Sequence, residues 1–277
     1  HNPASGKSSC KTIQLHGGQA FMAMIACFAP PLLGFVIPVI QLGEWAIATA
    51  EKMVDAYFWK LAVNSFYLAF CTSVLVIITG TLLAYGKRTN RSKLIRLLVD
   101  FSAMGYAVPG IVIAVGTLII FTRIDGWIIS SFDQAFGMDM GLIFTGTIAA
   151  LVFAHAVRFL SLGLQSVSAS LAKINHSVDD ASRMLGNNIF STLRDIHLPL
   201  IRSGLFTAAL LVFVEVMKEL PATLVMRPFN FNTLSVRAYE LASDERLADA
   251  STAALAIVLT GMVPVILLNI SAKSHAR

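Results

Sequence analysis

The sequence is poor in charged residues, which make up only 13% of its 277 positions, whereas 56% are apolar. Soluble domains carry charge on about 25% of their residues, so this composition excludes a water-exposed surface of the ordinary kind. A mean hydropathy of +0.72 points the same way. The chain is therefore predicted to be an integral membrane protein.

The sequence also has few cysteines and no complete nucleotide-binding loop. The three cysteines, Cys10, Cys27 and Cys71, have no paired spacing that would indicate a disulfide framework or a zinc site. The run 5–8 (Ser-Gly-Lys-Ser) matches part of a P-loop, but His1 stands where that motif needs a glycine, and no strand precedes it. ATP hydrolysis and a bound cofactor are therefore not expected in this chain.

Six long apolar runs dominate the remainder of the sequence. They cover residues 20–42, 61–85, 97–121, 141–162, 201–220 and 250–270. Their lengths match the hydrocarbon thickness of a bilayer, which a helix crosses with about 20 apolar residues. We predict an all-α polytopic membrane protein with a cytosolic linker at 1–18 and six transmembrane helices within 19–277. Because the sequence begins with His1 and a polar stretch without a signal-peptide pattern, we expect a segment of something longer.

The basic residues are distributed unevenly across these runs. Of the 21 basic residues, 14 fall on the side that holds both termini. Because cytoplasmic loops carry an excess of Lys and Arg, both termini are predicted to be cytoplasmic. Topology thus accounts for the net charge of +5, and nucleic acid is not an expected partner. The strongest basic cluster, 86–96, is interpreted as a topology anchor that faces anionic lipid.

Two apolar runs contain residues that interrupt their regularity. Residues 105–110 read Gly-Tyr-Ala-Val-Pro-Gly, and glycines around a proline weaken a helix near mid-membrane. Tyr106 and Pro109 are read either as lining a translocation pathway or as belonging to a close packing contact. In the fourth run, Arg158 is expected to reach the cytoplasmic interface, and His155 is interpreted as a hydrogen-bonded packing residue rather than a proton relay.

The stretch 167–199 is a polar interruption between two apolar runs. Its apolar residues recur at steps of three and four, which predicts one amphipathic helix over 167–185 at the cytoplasmic surface. Gly186 suits the left-handed residue that ends such a helix, and Asn188 suits the N-cap of a second short helix. Pro199 is expected to break the chain before the next span.

Seven positions in this stretch resemble the EAA loop of permease subunits of bacterial ABC importers. The pattern is Glu-Ala-Ala, three residues, Gly, nine residues, Ile, one residue, Leu-Pro. The matching positions are Asp180, Ala181, Ser182, Gly186, Ile196, Leu198 and Pro199. Only Asp180 and Ser182 depart from it, and they keep the charge and the small size.

The resemblance implies the fold and the division of labour of that family. The fold would be the MetI-like type I importer permease fold, with a coupling loop at 164–200 whose helix docks on a separate ABC ATPase dimer. ATP and Mg would belong to that partner, so this chain would be a transport subunit and not an enzyme.

The fifth apolar run carries acidic residues. Glu215 and Glu219 are one helical turn apart and are predicted to point the same way within the outer part of the membrane. Lys218 is placed to pair with Glu215. On the residues alone, the two carboxylates are either part of an internal ion pair or oxygen ligands that transiently bind a passing cation.

Segments 216–224, 227–234 and 239–246 resemble the ferric-iron branch of these permeases, in which two six-span halves are commonly fused. This sequence is similar to the second half. The resemblance implies ferric iron import across the bacterial inner membrane, with a periplasmic ferric-iron-binding protein, a second permease half that is fused or separate, and the lipid bilayer as partners. Glu215, Glu219 and Tyr239 are candidate ligands of ferric iron, which favours carboxylate and phenolate oxygen.

The candidate docking surface for the binding protein comprises Arg237, Tyr239, Glu240 and Arg246. Three alternatives remain at this point. The first is an ABC permease for thiamine, phosphonate, sulfate or polyamine. The second is a proton-coupled secondary transporter with His155, Glu215 and Glu219 as its relay. The third is a membrane anchor or sensor without a transport role.

Overall fold

The computed structural model describes residues 14–90, 92–136 and 141–274, and all regular structure in these ranges is helical. Ten α-helical segments follow one another within these ranges. They are α1 (Gly18–Met53), α2 (Ala56–Thr89), α3 (Lys93–Ser102), α4 (Gly110–Phe136), α5 (Ile148–Ala172), α6 (His176–Met184), α7 (Ile189–Met217), α8 (Pro221–Met226), α9 (Leu234–Ser243) and α10 (Leu247–Ser274). Most of the predicted linker, residues 1–13, lies outside the described residues.

Five of these helices are long and apolar enough to cross a bilayer. They are α1, α2, α5, α7 and the part Gly110–Asp133 of α4. The sixth predicted span corresponds to α10, whose described apolar part is Leu247–Val263. The prediction of an all-α polytopic membrane fold is confirmed.

The core of the bundle lies where α2, α5 and α7 pack against one another. Leu68, Val76, Phe159 and Val212 are fully buried there. Lipid tails are as apolar as these side chains, so close packing rather than the hydrophobic effect holds such helices together. A Cβ at Gly163 would lie 2.5 Å from Cγ1 of Val76, so this glycine sets how closely α5 approaches α2.

Prolines lie within long helices here without ending them. In α1, a π-helical turn at Leu32–Val36 follows Pro30 and Pro31. In α7, a second π-helical turn at Thr192–His197 precedes Pro199. Such turns supply alternative backbone hydrogen bonds where proline has no N–H to donate. The prediction that Pro199 breaks the chain is therefore wrong, because α7 is continuous from Ile189 to Met217.

The predicted limits of the third span, 97–121, are wrong. Residues Lys93–Ser102 form the separate short helix α3, one 3-10 turn follows at Ala103–Ala107, and the spanning helix begins only at Gly110. Proline disfavours helical backbone in the residue before it, and Val108 is accordingly extended at φ −87° and ψ 134°.

Helix α4 continues beyond the third apolar run to Phe136. Asp125, which lies in this continuation, is fully buried. Its carboxylate accepts hydrogen bonds from the backbone N–H groups of Ile143, Phe144 and Thr145 at 2.8 to 3.3 Å. This contact fixes the chain just before α5 against α4.

Candidate coupling and translocation sites

The coupling end of the bundle is formed by α6 and its connections. The predicted single helix over 167–185 is wrong, because α5 ends at Ala172 and α6 begins at His176. Asn175 caps α6 by accepting a hydrogen bond from the Ser177 N–H at 3.2 Å. Residues Lys173–Asn175 therefore form a corner between a membrane span and the short helix α6.

The predicted end of α6 is confirmed. Gly186 has φ +82°, and its N–H and that of Asn187 bond back to the carbonyls of Arg183 and Ser182. These bonds satisfy carbonyls that the end of a helix would leave unpaired. Asn188 caps the next helix, as predicted, by accepting from the Ser191 N–H at 2.8 Å.

The seven residues of the EAA-like pattern have different exposures. Asp180, Ala181, Gly186 and Pro199 are exposed, and Ile196 and Leu198 are half-buried. Ser182 is buried, with its Oγ 2.8 Å from Oγ1 of Thr192, and it accepts from the Asn187 amide at 3.2 Å. Ser182 therefore ties α6 to the start of α7.

The strongest polar contact at this end comes from Arg88, at the end of α2. Its Nε and Nη2 donate to Oδ2 of Asp179 at 3.1 and 2.7 Å, and Nη1 and Nη2 reach the carbonyls of Leu171 and Ile174 at 2.6 and 2.9 Å. Only 8% of the Arg88 side chain is exposed. At this residue the interpretation of the basic cluster as a lipid-facing anchor is wrong, because Arg88 joins α2 to α6 and caps the end of α5.

Asp179 is the acceptor on which several elements converge. Besides Arg88, it binds Nε2 of the buried His197 in α7 at 2.7 Å and lies 3.4 Å from Nδ1 of His176. Burial raises the pKa of Asp179, but the hydrogen bonds from Arg88 and His197 outweigh this and hold it below its ordinary value. The carboxylate is therefore charged at neutral pH and connects α2, α6 and α7.

Apolar side chains beside this cluster are left uncovered. Met184, Leu185, Ile189 and Phe190 have 90%, 82%, 60% and 69% of their surface exposed. They adjoin a groove of about 470 Å³ that Tyr85, Asp179, Asn187 and Phe190 help to line. An exposed apolar patch next to a rigid polar cluster is typical of a protein interaction surface.

A second cluster lies inside the bundle around Glu219. Its Oε1 accepts from Nη1 of Arg158 and from the Ala222 N–H, both at 3.1 Å. Its Oε2 accepts from the N–H and Oγ1 of Thr223 at 3.1 and 3.2 Å and lies 3.3 Å from Nε2 of His155. A carboxylate has about four lone-pair sites, so Glu219 is fully occupied.

Arg158 does not reach a membrane interface, contrary to the prediction. It is the eleventh residue of α5, about 15 Å from the first residue of that helix at 1.5 Å per residue. There it pairs with Glu219, and 21% of its side chain is exposed. The packing role predicted for His155 is confirmed: its side chain is fully buried, and its two ring nitrogens meet the Leu151 carbonyl and the Thr223 hydroxyl.

Glu215 and Glu219 have different partners. The predicted pair of Glu215 with Lys218 is present, with Nζ 2.7 Å from Oε1. Because α7 ends at Met217, Glu219 instead turns toward α5 and α8. Within the described ranges, no three His, Cys, Asp or Glu residues converge as a metal site. Ferric iron binding by Glu215, Glu219 and Tyr239 therefore stays a prediction without geometric support.

The glycines of the 105–110 motif allow close approach to α5, which is one of the two predicted readings. A Cβ at Gly105 would lie 2.1 Å from the Val157 carbonyl oxygen, and one at Gly110 would lie 1.6 Å from Nη1 of Arg158. Tyr106 and Pro109, which lie between the two glycines, are exposed. Packing and an exposed face thus coexist in one motif.

The predicted docking residues lie around α9. Arg237 stacks over the Tyr57 ring at 5.7 Å, Glu240 pairs with Arg227 at 3.1 Å, and Arg246 pairs with Asp249 at 2.5 Å. Tyr239 is 46% exposed. Their docking role stays a prediction.

The architecture and the EAA-like corner agree with a sequence comparison. The profile of the family described as "Binding-protein-dependent transport system inner membrane component" matches residues 76–277. The chain belongs to this family. It is a multi-pass membrane component of a transport system, and this confirms the resemblance derived from the 180–199 pattern.

Individual relatives share less sequence. The Fe(3+)-transport system permease protein FbpB 2 of Haemophilus influenzae is 29% identical over 86% of this chain. The alignment covers 44% of that relative, so the chain spans less than half its length. PhnV of Salmonella typhimurium, named for 2-aminoethylphosphonate transport, is 25% identical over 76% of this chain and 73% of its own.

Two solved structures share the fold. A bacterial alginate ABC transporter superposes with a TM-score of 0.68 at 13% identity and covers 91% of both chains. The MetNI methionine ABC transporter, in an inward-facing conformation, superposes with a TM-score of 0.55 at 18% identity over 79% of this chain and 94% of its own. These likenesses support the predicted MetI-like fold.

Proposed function

We propose that the chain is one permease half of an ABC importer that moves ferric iron inward across the bacterial inner membrane. A separate ATPase dimer would hydrolyse ATP, and a periplasmic binding protein and a second permease half, fused or separate, would complete the transporter. The observation that carries the proposal is the exposed apolar patch on α6 and the start of α7, because it adjoins a helix that α2 and α7 hold rigidly through Asp179.

The arrangement explains how movement at the patch would reach the membrane. A partner that displaces α6 also pulls on Arg88 of α2 and His197 of α7, because both bind the Asp179 carboxylate. These two helices pack against α5 in the core of the bundle. In this orientation α6 and both termini are cytoplasmic, which agrees with the excess of basic residues on that side.

Site-directed crosslinking tests the proposed ATPase contact. A Met184→Cys variant, with Cys10, Cys27 and Cys71 replaced by serine, should crosslink to the ATPase in the assembled transporter. Phe229→Cys is the matched control, because Phe229 is 94% exposed on the segment between α8 and α9. Equal capture by both variants, or capture by neither, would count against the ATPase contact.

The substrate is tested by uptake. Import of radioactive iron by a strain lacking its own ferric permease should be restored by the complete transporter and should stop when its ATPase is inactivated. A Gly186→Trp variant should insert normally but lose uptake, because the left-handed backbone at 186 disfavours any side chain. Unaltered uptake in that variant would contradict a coupling role.

Import of 2-aminoethylphosphonate is the second candidate, since the PhnV relative is covered over 73% of its length. Growth on this phosphonate as the only phosphorus source would distinguish it from iron import. The predicted proton-driven transporter is less well supported, because His155 and Glu219 are occupied by packing contacts. Uptake that survives ATPase inactivation would favour it.

A further inference from the structure

A small cleft lies at the end of the bundle opposite the coupling end. The end of α1, the start of α2, helix α9 and the start of α10 meet there, and the charged residues of its lining are Lys52, Asp55, Arg237 and Asp249. Its volume is about 40 Å³, whereas a water molecule needs about 10–15 Å³ of such volume. The cleft therefore has room for a group of about three heavy atoms, such as a carboxylate.

The two acidic residues of the lining are already occupied. Asp249 accepts from Nε of Arg246 at 2.8 Å and lies 3.4 Å from Nζ of Lys52. Oδ1 of Asp55 accepts from the Phe58 N–H at 2.8 Å and caps the start of α2, where a negative charge is favourable. The negative charge of both residues is thus balanced within the chain.

Arg237 has no such partner. Within the described ranges its guanidinium makes no hydrogen bond and no ion pair, and it stacks over the Tyr57 ring at 5.7 Å. Its side chain is half-buried, but none of its nitrogens belongs to the buried atoms that lack a partner in those ranges. The N–H groups of Arg237 are therefore accessible, and they lie in the lining of the cleft.

The ring beneath Arg237 is held in place by hydrogen bonds. The Tyr57 hydroxyl accepts from Nδ2 of Asn232 at 2.8 Å, and the Asn232 carbonyl accepts from Nδ2 of Asn64 at 3.0 Å. Stacking occupies a face of the guanidinium and leaves its edges free. A planar fork held in this way binds a carboxylate through two parallel N–H···O bonds.

The neighbouring chain has features of a protein interaction surface. Phe229, ahead of α9, is 94% exposed, and Tyr239 within α9 is 46% exposed. Aromatic residues and arginine are enriched at protein interfaces. Among the predicted docking residues, Glu240 and Arg246 form ion pairs within the chain. Arg237 is the charged member of that set that is left to bind a partner.

From these contacts we infer that the cleft receives an acidic side chain of the periplasmic binding protein, whose carboxylate binds Arg237. The inference rests on the proposed function, in which this end of the bundle faces the periplasm. Lys52, with 67% of its side chain exposed, places a second positive charge beside the cleft. Opposite charges on the two partners would guide their encounter and fix their orientation.

Binding measurements test the role of Arg237. The assembled transporter is placed in lipid nanodiscs, and its affinity for the binding protein is measured. Arg237→Glu should raise the dissociation constant about 30-fold or more, the loss that follows removal of one partner of a hydrogen-bonded charge pair. Arg123→Glu is the matched control, because Arg123 is exposed on α4 and does not line the cleft. It should change the constant less than about fivefold. Equal losses in the two variants, or a loss in neither, would overturn the inference.

Zero-length crosslinking identifies the group that binds. A carbodiimide activates a carboxylate, and a lysine amine in contact with it then forms an amide. Arg237→Lys, which keeps the charge, should give an amide between Lys at 237 and an Asp or Glu of the binding protein, which mass spectrometry locates. Arg123→Lys should give none at 123. Links to the binding protein at both positions, or at neither, would contradict the assignment.

An anionic phospholipid headgroup is a competing occupant of the cleft. Nanodiscs of phosphatidylcholine, alone or mixed with phosphatidylglycerol, distinguish the two. Docking of an acidic side chain predicts the same loss of affinity in Arg237→Glu in both kinds of disc. A loss confined to the discs that contain phosphatidylglycerol would assign the cleft to lipid and overturn the inference.

Failure of the proposed function gives a different result. If binding depends on Arg237 but iron is not taken up, the substrate assignment fails and the cleft keeps its role. If iron is taken up and binding does not depend on Arg237, the inference fails and the proposed function stands. Absence of binding to the wild-type transporter would overturn both.

Discussion

Two carboxylates in this molecule have nearly the same set of partners, one at the coupling end and one inside the bundle. Asp179 binds Arg88 and His197, and Glu219 binds Arg158 and His155. In each case the arginine and the histidine come from elements other than that of the carboxylate. The two clusters therefore tie separate helices together in the same chemical way.

The clusters differ in how many hydrogen-bond donors of the arginine have a partner. The Nε and Nη2 groups of Arg88 both bind Asp179, and its other contacts are carbonyls at the end of α5. Among the described residues, Arg158 has one hydrogen bond, to Glu219. The comparison indicates that Arg88 is held by several hydrogen bonds, whereas Arg158 is held by one ion pair and by its contact with the Phe159 ring at 5.6 Å.

The largest effect is expected from Arg88→Gln. This change leaves Asp179 partly buried without its main counter-charge and deprives the end of α5 of its cap. Breaking a buried ion pair costs about 3–5 kcal/mol of unfolding free energy. Thermal unfolding in detergent should show the loss, and ATP hydrolysis by the proposed transporter should fall with it. A small loss of stability would show that Arg88 contributes less to holding the helices together than its hydrogen bonds indicate.

Arg158→Gln should destabilise the protein less. Glu219 loses one charged donor but keeps the backbone N–H groups of Ala222 and Thr223, so we expect a loss of about 1.5–3 kcal/mol, typical of a hydrogen bond to a charged group. The same unfolding assay applies. If Arg158→Gln proves as damaging as Arg88→Gln, the two arginines have equivalent structural roles and the contrast between them fails.

Gly105→Ala tests the close approach beside the inner cluster. Its Cβ would meet the Val157 backbone oxygen at 2.1 Å, and backbone cannot rotate away as a side chain can. Overpacking of this kind costs about 1–3 kcal/mol. Gly116→Ala in α4 is the matched control, because nothing lies within 4 Å of its added Cβ. Similar unfolding temperatures for the two variants would argue against tight packing at the break.

A smaller effect is expected from Lys218→Ala. Lys218 pairs with Glu215 over one helical turn, and 57% of its side chain is exposed. Exposed ion pairs contribute up to about 1 kcal/mol. A loss well above that value would show that Glu215 also depends on Lys218 for a role in the pathway, which iron uptake by the same variant would then reveal.

The smallest effect near neutral pH is expected from titration of Asp179. Its pKa is lowered in the folded protein, so its contribution is complete above the unfolded value of about 4 and is lost as pH falls through the folded value. The unfolding temperature should not change between about pH 5 and 8 on account of this group. Below that range the wild type should lose stability more steeply than Asp179→Asn, and parallel curves would contradict the assignment.

Local patterns predicted much of the coupling end. Gly186 and Asn188 could be placed from the sequence because helix termini have residue preferences that act over a few positions. The six apolar runs likewise indicated the membrane fold. Boundaries were less predictable: Pro109 and Pro199 look alike in the sequence, but the first separates two helices and the second lies within one.

The long-range contacts could not be predicted from the sequence. Arg88 and Asp179 are 91 positions apart, and Arg158 and Glu219 are 61 apart. Each arginine was assigned to a membrane interface because charge at the end of an apolar run ordinarily lies there. The missed signal was charge balance: Glu219 lies inside the fifth apolar run, where an ionised carboxylate needs a counter-charge, and Arg158 is a cation inside the fourth run.

The continuity of α7 has a mechanical consequence. From Ile189 at the coupling end to Met217, the helix is continuous over about 42 Å, at 1.5 Å per residue. A tilt of about 10° around its lower end would displace the upper end by about 7 Å, by the geometry of a rod of that length. Glu219 follows the end of this helix. A small change in the angle of α7 at the coupling end would therefore become a larger displacement of the ion pair between Glu219 and Arg158.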